Sequence, residues 1–359
     1  MSHASMSNGV SRVIDLRSDT LTLPTEAMLE AQRHATGGDD SRDGDPTVRR
    51  LEEASAALLG KEAGLFVVSG TMGNLVALLA HAHRGGELLV DAGAHLLRSE
   101  LGGVSMLGGL FPRTLPAQRG AMDLDALKAA IVPEFLPAKL PTALVWMETT
   151  HNDAGGAAPP LAHLLAVGEI ARKAGVPSHI DGARFFNAVA ALGTTPSALA
   201  AAADSVTFCL SKGLSAPIGS VLVGGGAFIR RARAYRRMVG GALRQAGGLA
   251  AAGLVALETM VDRLPEDHRT ARRLAEGIAA IDPALTSVSG TATNIVRIDT
   301  SASGLPASEW MSRLERHGVR VGAWDTWQIR CVTHRHIDDA AVDRAVAAFR
   351  AVWPVAQAA

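Results

Sequence analysis

The sequence predicts a large α/β domain with a mostly parallel sheet, followed by a small α+β domain. Short apolar segments, such as 65–68 and 143–147, alternate with longer segments of helical periodicity up to about residue 223. Helical periodicity then dominates from 227 to about 280, and shorter strands and helices alternate again after it. The chain has 359 residues, 48% of them hydrophobic, which is enough to bury a core in each domain.

The elements can be placed in chain order from these patterns. Helices are predicted from Pro24 to about Ala35 and over 47–59, on either side of a polar loop at 37–46. The central alternation then predicts strands at 65–68, 88–90, 143–147, 178–180, 205–210 and 220–223, with helices at 71–83 and 161–174 and a further helix–strand pair between 90 and 143. The last two strands are joined by a short loop, which is compatible with an antiparallel hairpin in the sheet.

The C-terminal part predicts strands at 295–298 and 329–332 and helices at 307–317 and 338–352. These patterns divide the chain into a flexible arm (1–13), a large domain (14–262) and a small domain (263–359).

Composition excludes several classes of function. Lys plus Arg and Asp plus Glu are both 35, so the net charge is +0, and a nucleic-acid partner, which favours a basic excess, is not expected. Cys209 and Cys331 are too few for a disulfide framework or a four-thiolate metal site. The sequence shows no signal-peptide pattern and no apolar run long enough to cross a membrane, so a reducing, cytoplasmic location is expected.

Ser69-Gly70-Thr71 follows a predicted strand and opens a predicted helix. Free amides at a helix N-terminus, together with the helix dipole, make such a turn a candidate phosphate site, and Gly70 allows the anion to approach the backbone. The alternative is an ordinary N-cap, for which Ser and Thr are common.

Asp181 ends a predicted buried strand, and Arg184 follows three residues later. Ligands of open α/β sheets bind at the carboxyl ends of the strands, where a carboxylate could hold a protonated ring nitrogen. If a helical turn begins at Gly182, Arg184 points into the same crevice. A structural Asp–Arg pair is the alternative.

Lys212 follows the strand 205–210 and is flanked by small residues. A partly buried amine has a lowered pKa and becomes a nucleophile toward carbonyls. Pyridoxal phosphate (PLP) requires a lysine for its Schiff base, a carboxylate for its pyridine nitrogen and a phosphate cradle. The three candidates in this order therefore favour PLP as the cofactor.

The chain resembles the threonine aldolases of the β-eliminating lyase family, which have the aspartate-aminotransferase-like fold of PLP enzymes (type I PLP-dependent transferase fold). The similarity is carried by collinear motifs over nearly the whole chain: DLRSDT (15–20), GDD…DPT (38–47), SGTMGN (69–74), AGAH (92–95), ETTHN (148–152), HIDGARFFNA (179–188), LSKG (210–213), GGALRQAG (240–247) and RCVTH (330–334).

The resemblance implies a role for each matching residue and a homotetramer with active sites shared between paired subunits. Lys212 would form the Schiff base with PLP, Asp181 would bind the pyridinium nitrogen, and His95 would stack on the ring. The phosphate would be bound by Ser69, Gly70 and Thr71 and by Arg244 of a neighbouring subunit. Ser18, Arg184 and Arg330 would bind the substrate carboxylate, and His151 would lie near the β-hydroxyl, with His95 and His151 as candidate bases.

The implied reaction is retro-aldol cleavage of a β-hydroxy-α-amino acid to glycine and an aldehyde. β-Elimination, transaldol exchange and racemisation remain alternatives that use the same cofactor, and a catalytically silent binding protein is another. A metal hydrolase built on the pairs His81/His83 and His334/His336 is a remote reading, because no further ligands with suitable spacing accompany them. These histidines are expected at the surface, and no metal is expected.

Two positions depart from the family pattern. Arg42 and Asp43 stand in the polar loop where relatives usually carry Tyr and Gly, which predicts either a changed preference for the substrate side chain or a remodelled loop without catalytic effect. Thr149 replaces a more typical Asn, a change expected to be minor.

Overall fold

The computed structural model describes residues 13–134 and 136–357, with side chains of the last helix described up to Trp353. The chain divides into two compact units. The large unit contains Thr20–His268, and the small unit contains the described residues before Thr20 together with those from Arg269 onward.

The large unit is built on a seven-stranded sheet. In chain order its strands are β1 (Ala63–Val67), β2 (Glu87–Asp91), β3 (Phe111–Leu115), β4 (Thr142–Glu148), β5 (Ser178–Gly182), β6 (Ser205–Cys209) and β7 (Ser220–Gly224). Their spatial order is β1-β7-β6-β5-β4-β2-β3. β7 runs antiparallel to both of its neighbours, and the other pairs are parallel. The predicted hairpin of the last two strands is therefore confirmed.

Helices precede, separate and follow these strands along the sequence, and apolar side chains cover both faces of the sheet. The helices are Glu26–Arg33, Pro46–Leu58, Gly70–His81, His95–Arg98, Gly103–Met106, Leu124–Ala130, Leu161–Lys173, Phe185–Leu192, Pro196–Ala200, Gly226–Met238, Gly247–Thr259 and the start of Leu264–Ala279. Phe66 and Val145 belong to one core cluster, whereas Leu65, Leu144 and Trp146 belong to another. Alternation along each strand sends neighbouring residues to opposite cores, as expected for a sheet buried on both faces.

Asp45 fixes the polar loop that precedes the helix Pro46–Leu58. Its buried carboxylate accepts hydrogen bonds from the amides of Thr47 and Val48 at the start of that helix, and from Gly38 and Gly247. Asp45 is thus an N-cap that also ties the loop to the segment around residue 247.

A buried ion pair holds the same loop from the other side. Arg236 donates to Asp40 at 2.7 Å, and the two side chains are 2% and 3% exposed. Arg236 also donates to the carbonyl of Phe66 at the end of β1. A buried charge is tolerated only when it is paired, so this contact gives the loop a defined position.

The small unit has its own sheets and core. A three-stranded antiparallel sheet has the order Ile295–Asp299, Gln328–Val332, Gly322–Ala323, and Ile14–Asp15 pairs in parallel with Val319–Arg320. Helices Ala307–Arg316 and Asp339–Gln357 and most of Leu264–Ala279 accompany them. Trp310, Leu314 and Phe349 are fully buried in this core.

The predicted fold class and strand positions are confirmed, with two differences. The stretch of helical periodicity at 227–280 contains three separate helices, and Gly240, with a left-handed backbone (φ +85°), follows the end of the first of them. The boundary between units lies at His268 rather than at 262, and Ile14–Asp15 groups with the C-terminal unit through strand pairing. Of the predicted arm, residues 1–12 lie outside the described residues.

Within the described part of the chain, no helix has both the length and the apolar character that crossing a membrane requires.

Candidate active site

The candidate residues of the large unit follow the carboxyl ends of parallel strands. Ser69, Gly70 and Thr71 follow β1, His95 follows β2, His151 follows β4, Asp181 lies near the end of β5, and Lys212 follows β6. Because β4, β5 and β6 are adjacent, with Glu148 opposite Asp181 and Asp181 opposite Thr207, these residues meet at one edge of the sheet.

The turn after β1 has the geometry of an anion site. Ser69 is the N-cap of the helix Gly70–His81, and its Oγ accepts the amide of Met72 at 3.1 Å, which leaves the hydroxyl proton available to a ligand. A Cβ added to Gly70 would lie 2.9 Å from Cys209 Sγ, so only glycine allows the helix to start this close to β6. Ser69 is therefore an N-cap, which was the alternative to a phosphate site. The first amides of this helix nevertheless remain available to bind an anion.

Asp181 is 2% exposed, and its two oxygens are held separately. The amide of Ala183 donates to Oδ1 at 3.1 Å, and Asn74 Nδ2 donates to Oδ2 at 2.8 Å. Asn74 lies on the helix that starts at Gly70, so the same helix connects the anion turn to the carboxylate. One oxygen is thus held by a backbone amide and the other by a side-chain amide.

His95 begins a short helix after β2. Its Nδ1 lies 2.9 Å from Glu100 Oε1, and its backbone amide donates to Glu148 Oε2 at 2.6 Å. The hydrogen bond to Glu100 raises the pKa of His95 above its usual value, and the charges of Asp181, Glu100 and Glu148 raise it further, whereas burial opposes them.

His151 differs from His95 because both of its ring nitrogens are engaged. Nε2 lies 3.1 Å from Asp91 Oδ1, and Nδ1 accepts the amide of Ala154 at 3.2 Å. Burial by itself lowers the pKa of His151, but Asp91, Glu148 and Asp153 raise it above the usual value. With both nitrogens bound to protein groups, His151 is less suited than His95 to accept a substrate proton directly.

Glu148 joins these two histidine segments. Its carboxylate accepts the amides of His95 and Asn152, at 2.6 and 2.7 Å, so it connects the turn after β2 to the turn after β4. Complete burial raises the pKa of Glu148, while the charge of His151 and the two amide hydrogen bonds oppose the shift.

Lys212 lies in a tight turn between β6 and β7. Its carbonyl accepts the amide of Ser215 and the hydroxyl of Thr22, both at 2.8 Å, which fixes its backbone. Ser215 is fully buried with a left-handed backbone (φ +63°), a conformation that costs a non-glycine residue about 1–2 kcal/mol. The Lys212 side chain is half-buried and has no ion pair with any described residue. The turn is therefore rigid, while the amine is not bound to a protein carboxylate.

Arg184 is 7% exposed and occupies the N-cap position of the helix Phe185–Leu192, and its carbonyl accepts Thr150 Oγ1 at 2.8 Å. No helical turn begins at Gly182, because β5 continues through Gly182 and the helix begins at Phe185.

Ser18 and Arg330 belong to the small unit. Arg330 lies on the strand Gln328–Val332, its Nη2 donates to the carbonyl of Arg17, and its guanidinium lies 5.1 Å from the ring centre of Trp324. Ser18 directly follows Arg17, so Arg330 contacts the backbone of the residue next to Ser18.

Arg244 and Arg42 lie on the exposed side of the polar loop. Arg244 Nη1 donates to Ser41 Oγ at 2.9 Å, and the Arg244 carbonyl accepts the amide of Asp40. Arg42 is 81% exposed and lies 3.8 Å from Asp39. Arg42 thus lies on a loop that Asp45 and the buried Asp40–Arg236 pair keep in place, and Arg244 is hydrogen-bonded to the same loop.

The expectation that the paired histidines lie at the surface is confirmed for His83, which is exposed, but is wrong for His334, which is buried, and His81 is half-buried. His334 is 3% exposed with Nε2 3.0 Å from the carbonyl of Asp15, and His81 stacks on Phe228 with Nε2 2.6 Å from Ser205 Oγ. Burial lowers the pKa of His81 to about 4. In each pair, at least one histidine ring therefore has a hydrogen-bond partner within the protein.

Comparison with known proteins gives the family. A model of the beta-eliminating lyase family matches residues 15–301. The chain belongs to this family. The low-specificity L-threonine aldolase 1 of Arabidopsis thaliana is 43% identical over 348 residues, which cover 95% of this chain and 96% of that protein. The low-specificity L-threonine aldolase of Escherichia coli K12 is 45% identical over 265 residues, 74% of this chain and 78% of that protein.

Solved structures support the type I PLP fold expected for this beta-eliminating lyase family member. A threonine aldolase from Leishmania major has a TM-score of 0.79 at 16% identity and covers 94% of this chain and 99% of its own. A structure described as SPT with a PLP internal aldimine has a TM-score of 0.74 at 17% identity and covers 96% and 88% of the two chains.

The residues present fit the PLP that this family implies. Two buried hydroxyls at the strand ends have no hydrogen-bond partner in the described chain: Thr149 Oγ1 after β4, and Ser220 Oγ, which would lie 3.8 Å from a Cβ on Gly70. Unsatisfied buried hydroxyls are uncommon and indicate a missing partner. A ligand with a phosphate and a phenolic oxygen on its ring offers hydrogen-bond acceptors for both hydroxyls.

Sequence reasoning missed Asn74, Glu100 and Glu148. A signal existed for Glu148, because a carboxylate at the end of a buried strand is the same pattern that singled out Asp181. Asn74 lies inside the helix that opens at Gly70, so its spacing from Gly70 places it about one turn further along that helix. Glu100 lies in an irregular segment, where spacing carries no directional information.

Proposed function

We propose that this protein is a PLP-dependent aldolase that cleaves β-hydroxy-α-amino acids such as threonine or allo-threonine to glycine and an aldehyde. The observation that carries the proposal is the placement of Lys212 and Asp181 at the ends of adjacent parallel strands, beside the anion turn at Ser69. Relatives that are 43–46% identical and named low-specificity L-threonine aldolases support this specific reaction.

The chain's own residues would hold PLP at both ends. Lys212 would bind it covalently, Asp181 would pair with its ring nitrogen, and Ser69, Gly70 and Thr71 would bind its phosphate. Bound PLP supplies an electron sink for the charge left on Cα when the Cα–Cβ bond breaks. His95 would lie against the ring.

Substrate binding requires a carboxylate ligand and a proton acceptor. Arg184 would bind the α-carboxylate, a task for which the planar guanidinium fork is suited. His95, whose Nε2 has no hydrogen-bond partner in the described chain, would accept the β-hydroxyl proton, either directly or through a water. His151 would help to position that hydroxyl.

Product analysis tests this reaction. Purified holoenzyme should convert L-threonine or L-allo-threonine to equal amounts of glycine and acetaldehyde. Ammonia with a keto acid would indicate β-elimination, and inverted substrate without glycine would indicate racemisation. Removing PLP should abolish the activity, whereas a chelator should leave it unchanged. A protein that binds no PLP and forms none of these products would contradict the proposal.

We further propose a homotetramer in which Arg244 reaches the phosphate of a neighbouring subunit. Arg244 is exposed and is held by the fixed polar loop, so its guanidinium is available to another chain. Arg244→Ala should weaken PLP binding about 10-fold, because one charge-assisted hydrogen bond contributes about 1.5–3 kcal/mol. Dissociation constants from equilibrium dialysis provide the measurement, with the exposed Arg237→Ala as the matched control. Equal PLP affinity for both variants would contradict a shared site.

The polar loop also offers a determinant of substrate preference. Arg42 is 81% exposed beside Arg244, and we expect its charge to favour a polar or anionic group on Cβ. Arg42→Tyr should lower kcat/KM for β-hydroxyaspartate relative to phenylserine by about 5–10-fold, the range of roughly 1 kcal/mol. Arg42→Ala removes the positive charge without adding an aromatic ring, so comparing it with Arg42→Tyr shows which of the two changes alters the preference. An unchanged ratio in both variants would show that the loop does not contact the substrate side chain.

A further inference from the structure

Glu100 is a buried carboxylate to which neither the sequence motifs nor the proposed reaction assigns a role. It lies in the segment between the short helices His95–Arg98 and Gly103–Met106, and its side chain is 3% exposed. Its Oε1 receives two contacts, from His95 Nδ1 at 2.9 Å and from Asn74 Nδ2 at 2.9 Å. Because a carboxylate can only accept, Nδ1 of His95 must carry the proton.

Asn74 connects this carboxylate to Asp181. The same Nδ2 donates to Glu100 Oε1 and to Asp181 Oδ2, so its two hydrogens serve two buried carboxylates. One polar atom each of His95, Glu100 and Asp181 lie within 4.8 Å of one another. Without the bridging amide, the two negative charges would face each other in a buried site, an unfavourable arrangement.

The hydrogen bond at Nδ1 determines the role of the other ring nitrogen of His95, Nε2. With the proton fixed on Nδ1, the neutral ring presents Nε2 as an acceptor, and Nε2 has no hydrogen-bond partner in the described residues. The His95 side chain is 32% exposed, so Nε2 can be reached by a small molecule. The charged groups that act on the ring are Glu100, Asp181 and Glu148, and all three raise its pKa.

We propose that Glu100 is a positioning residue: it holds His95 in the Nδ1–H form so that Nε2 accepts the β-hydroxyl proton of the substrate, and Asn74 ties this pair to Asp181. The proposal rests on the proposed aldolase function. In many enzymes a carboxylate orients a catalytic imidazole and stabilises its protonated form. In this protein the carboxylate of Glu100 also shares one hydrogen-bond donor, Asn74 Nδ2, with Asp181.

The tautomer of His95 can be measured directly in the wild-type holoenzyme. Nitrogen-15 NMR of labelled histidines, with the His95 signals assigned from their loss in His95→Asn, should show a protonated Nδ1 and an acceptor Nε2 at a pH above the ring's pKa. The reverse tautomer would overturn the proposal. This readout requires no turnover, so it remains valid if the assigned reaction proves wrong.

Replacing the carboxylate tests its electrostatic role. In Glu100→Gln the pKa of His95 should fall, so the acid limb of the kcat/KM profile and the NMR titration of His95 should both move to lower pH. Because Nε2 becomes a weaker base, kcat should fall about 10²-fold, the scale of general-base catalysis, while KM changes about twofold or less. Glu100→Asp keeps the charge on a shorter side chain, so the pKa of His95 in this variant should lie between those in the wild type and in Glu100→Gln. It serves as the test variant if Glu100→Gln does not fold.

A double-mutant cycle separates positioning from a merely structural effect. Once His95→Asn has removed the base, adding Glu100→Gln should lower kcat by less than about threefold, because both changes act through one group. Glu52→Gln, at a similarly buried glutamate that contacts Phe66 and Arg233 instead, should leave the His95 titration unchanged. Additive losses in the cycle, or an unshifted His95 titration in Glu100→Gln, would overturn the proposal even if the aldolase reaction itself is found.

Discussion

Replacing Lys212 with alanine should abolish aldol cleavage and leave the fold intact. The amine lies half-buried in a rigid turn, its carbonyl is fixed by Thr22 and Ser215, and no described residue forms an ion pair with it. Loss of the covalent anchor should lower kcat at least about 10³-fold, which corresponds to roughly 4 kcal/mol of lost transition-state stabilisation. The visible absorbance band of lysine-bound PLP should disappear at the same time.

The stability of Lys212→Ala separates the chemical role from a structural one. Because the ammonium has no protein partner to lose, the free energy of unfolding should change by about 0.5 kcal/mol or less. Lys61→Ala is the matched control: Lys61 is also half-buried, but it donates to the carbonyl of Ala203 and should retain both the absorbance band and the activity. A Lys212→Ala variant that keeps the band would remove Lys212 from the site.

The second large effect is expected for Asp181→Asn. Asn cannot supply the negative charge that stabilises a protonated ring nitrogen, although it keeps an oxygen for the amide of Ala183. PLP affinity should fall about 10–100-fold, in line with about 1.5–3 kcal/mol for a hydrogen bond to a charged group. At saturating PLP, kcat should still be about 10²-fold lower, because the electron sink is weaker without a charged partner.

Asp204→Asn is the matched control for Asp181. Asp204 lies just before β6, at the opposite end of the strands, and its carboxylate accepts the amide and hydroxyl of Ser178. Removing its charge should leave PLP affinity and kcat unchanged. Equal effects of the two substitutions on PLP affinity would contradict a specific contact between Asp181 and the ring.

The sheet was predictable from the sequence because its strands are short apolar runs between helices. Between Thr142 and Glu148, β4 contains only apolar residues, and its Val145 and Trp146 lie in the core on opposite faces of the sheet. Asp181 and Lys212 could be found because polar residues directly after such strands stand out, and strand order then places them together.

The hydrogen-bond network of the site could not be predicted in the same way. Glu100 reaches His95 and Asn74 from a segment without periodicity, and Asn74 bridges two carboxylates that come from distant parts of the chain. Both ring nitrogens of His151 are hydrogen-bonded, one to Asp91 and the other to the amide of Ala154. The sequence does not reveal these contacts, so only the structure shows that His151 is less available than His95 to a substrate.

The covalent attachment of the cofactor tests the central claim most directly. Holoenzyme can be reduced with borohydride, digested and mapped by mass spectrometry to locate the pyridoxyl group. The account predicts one modified residue, Lys212, with loss of the modification in Lys212→Ala. A pyridoxyl group on another lysine, or none on a protein that still releases glycine and an aldehyde, would contradict it.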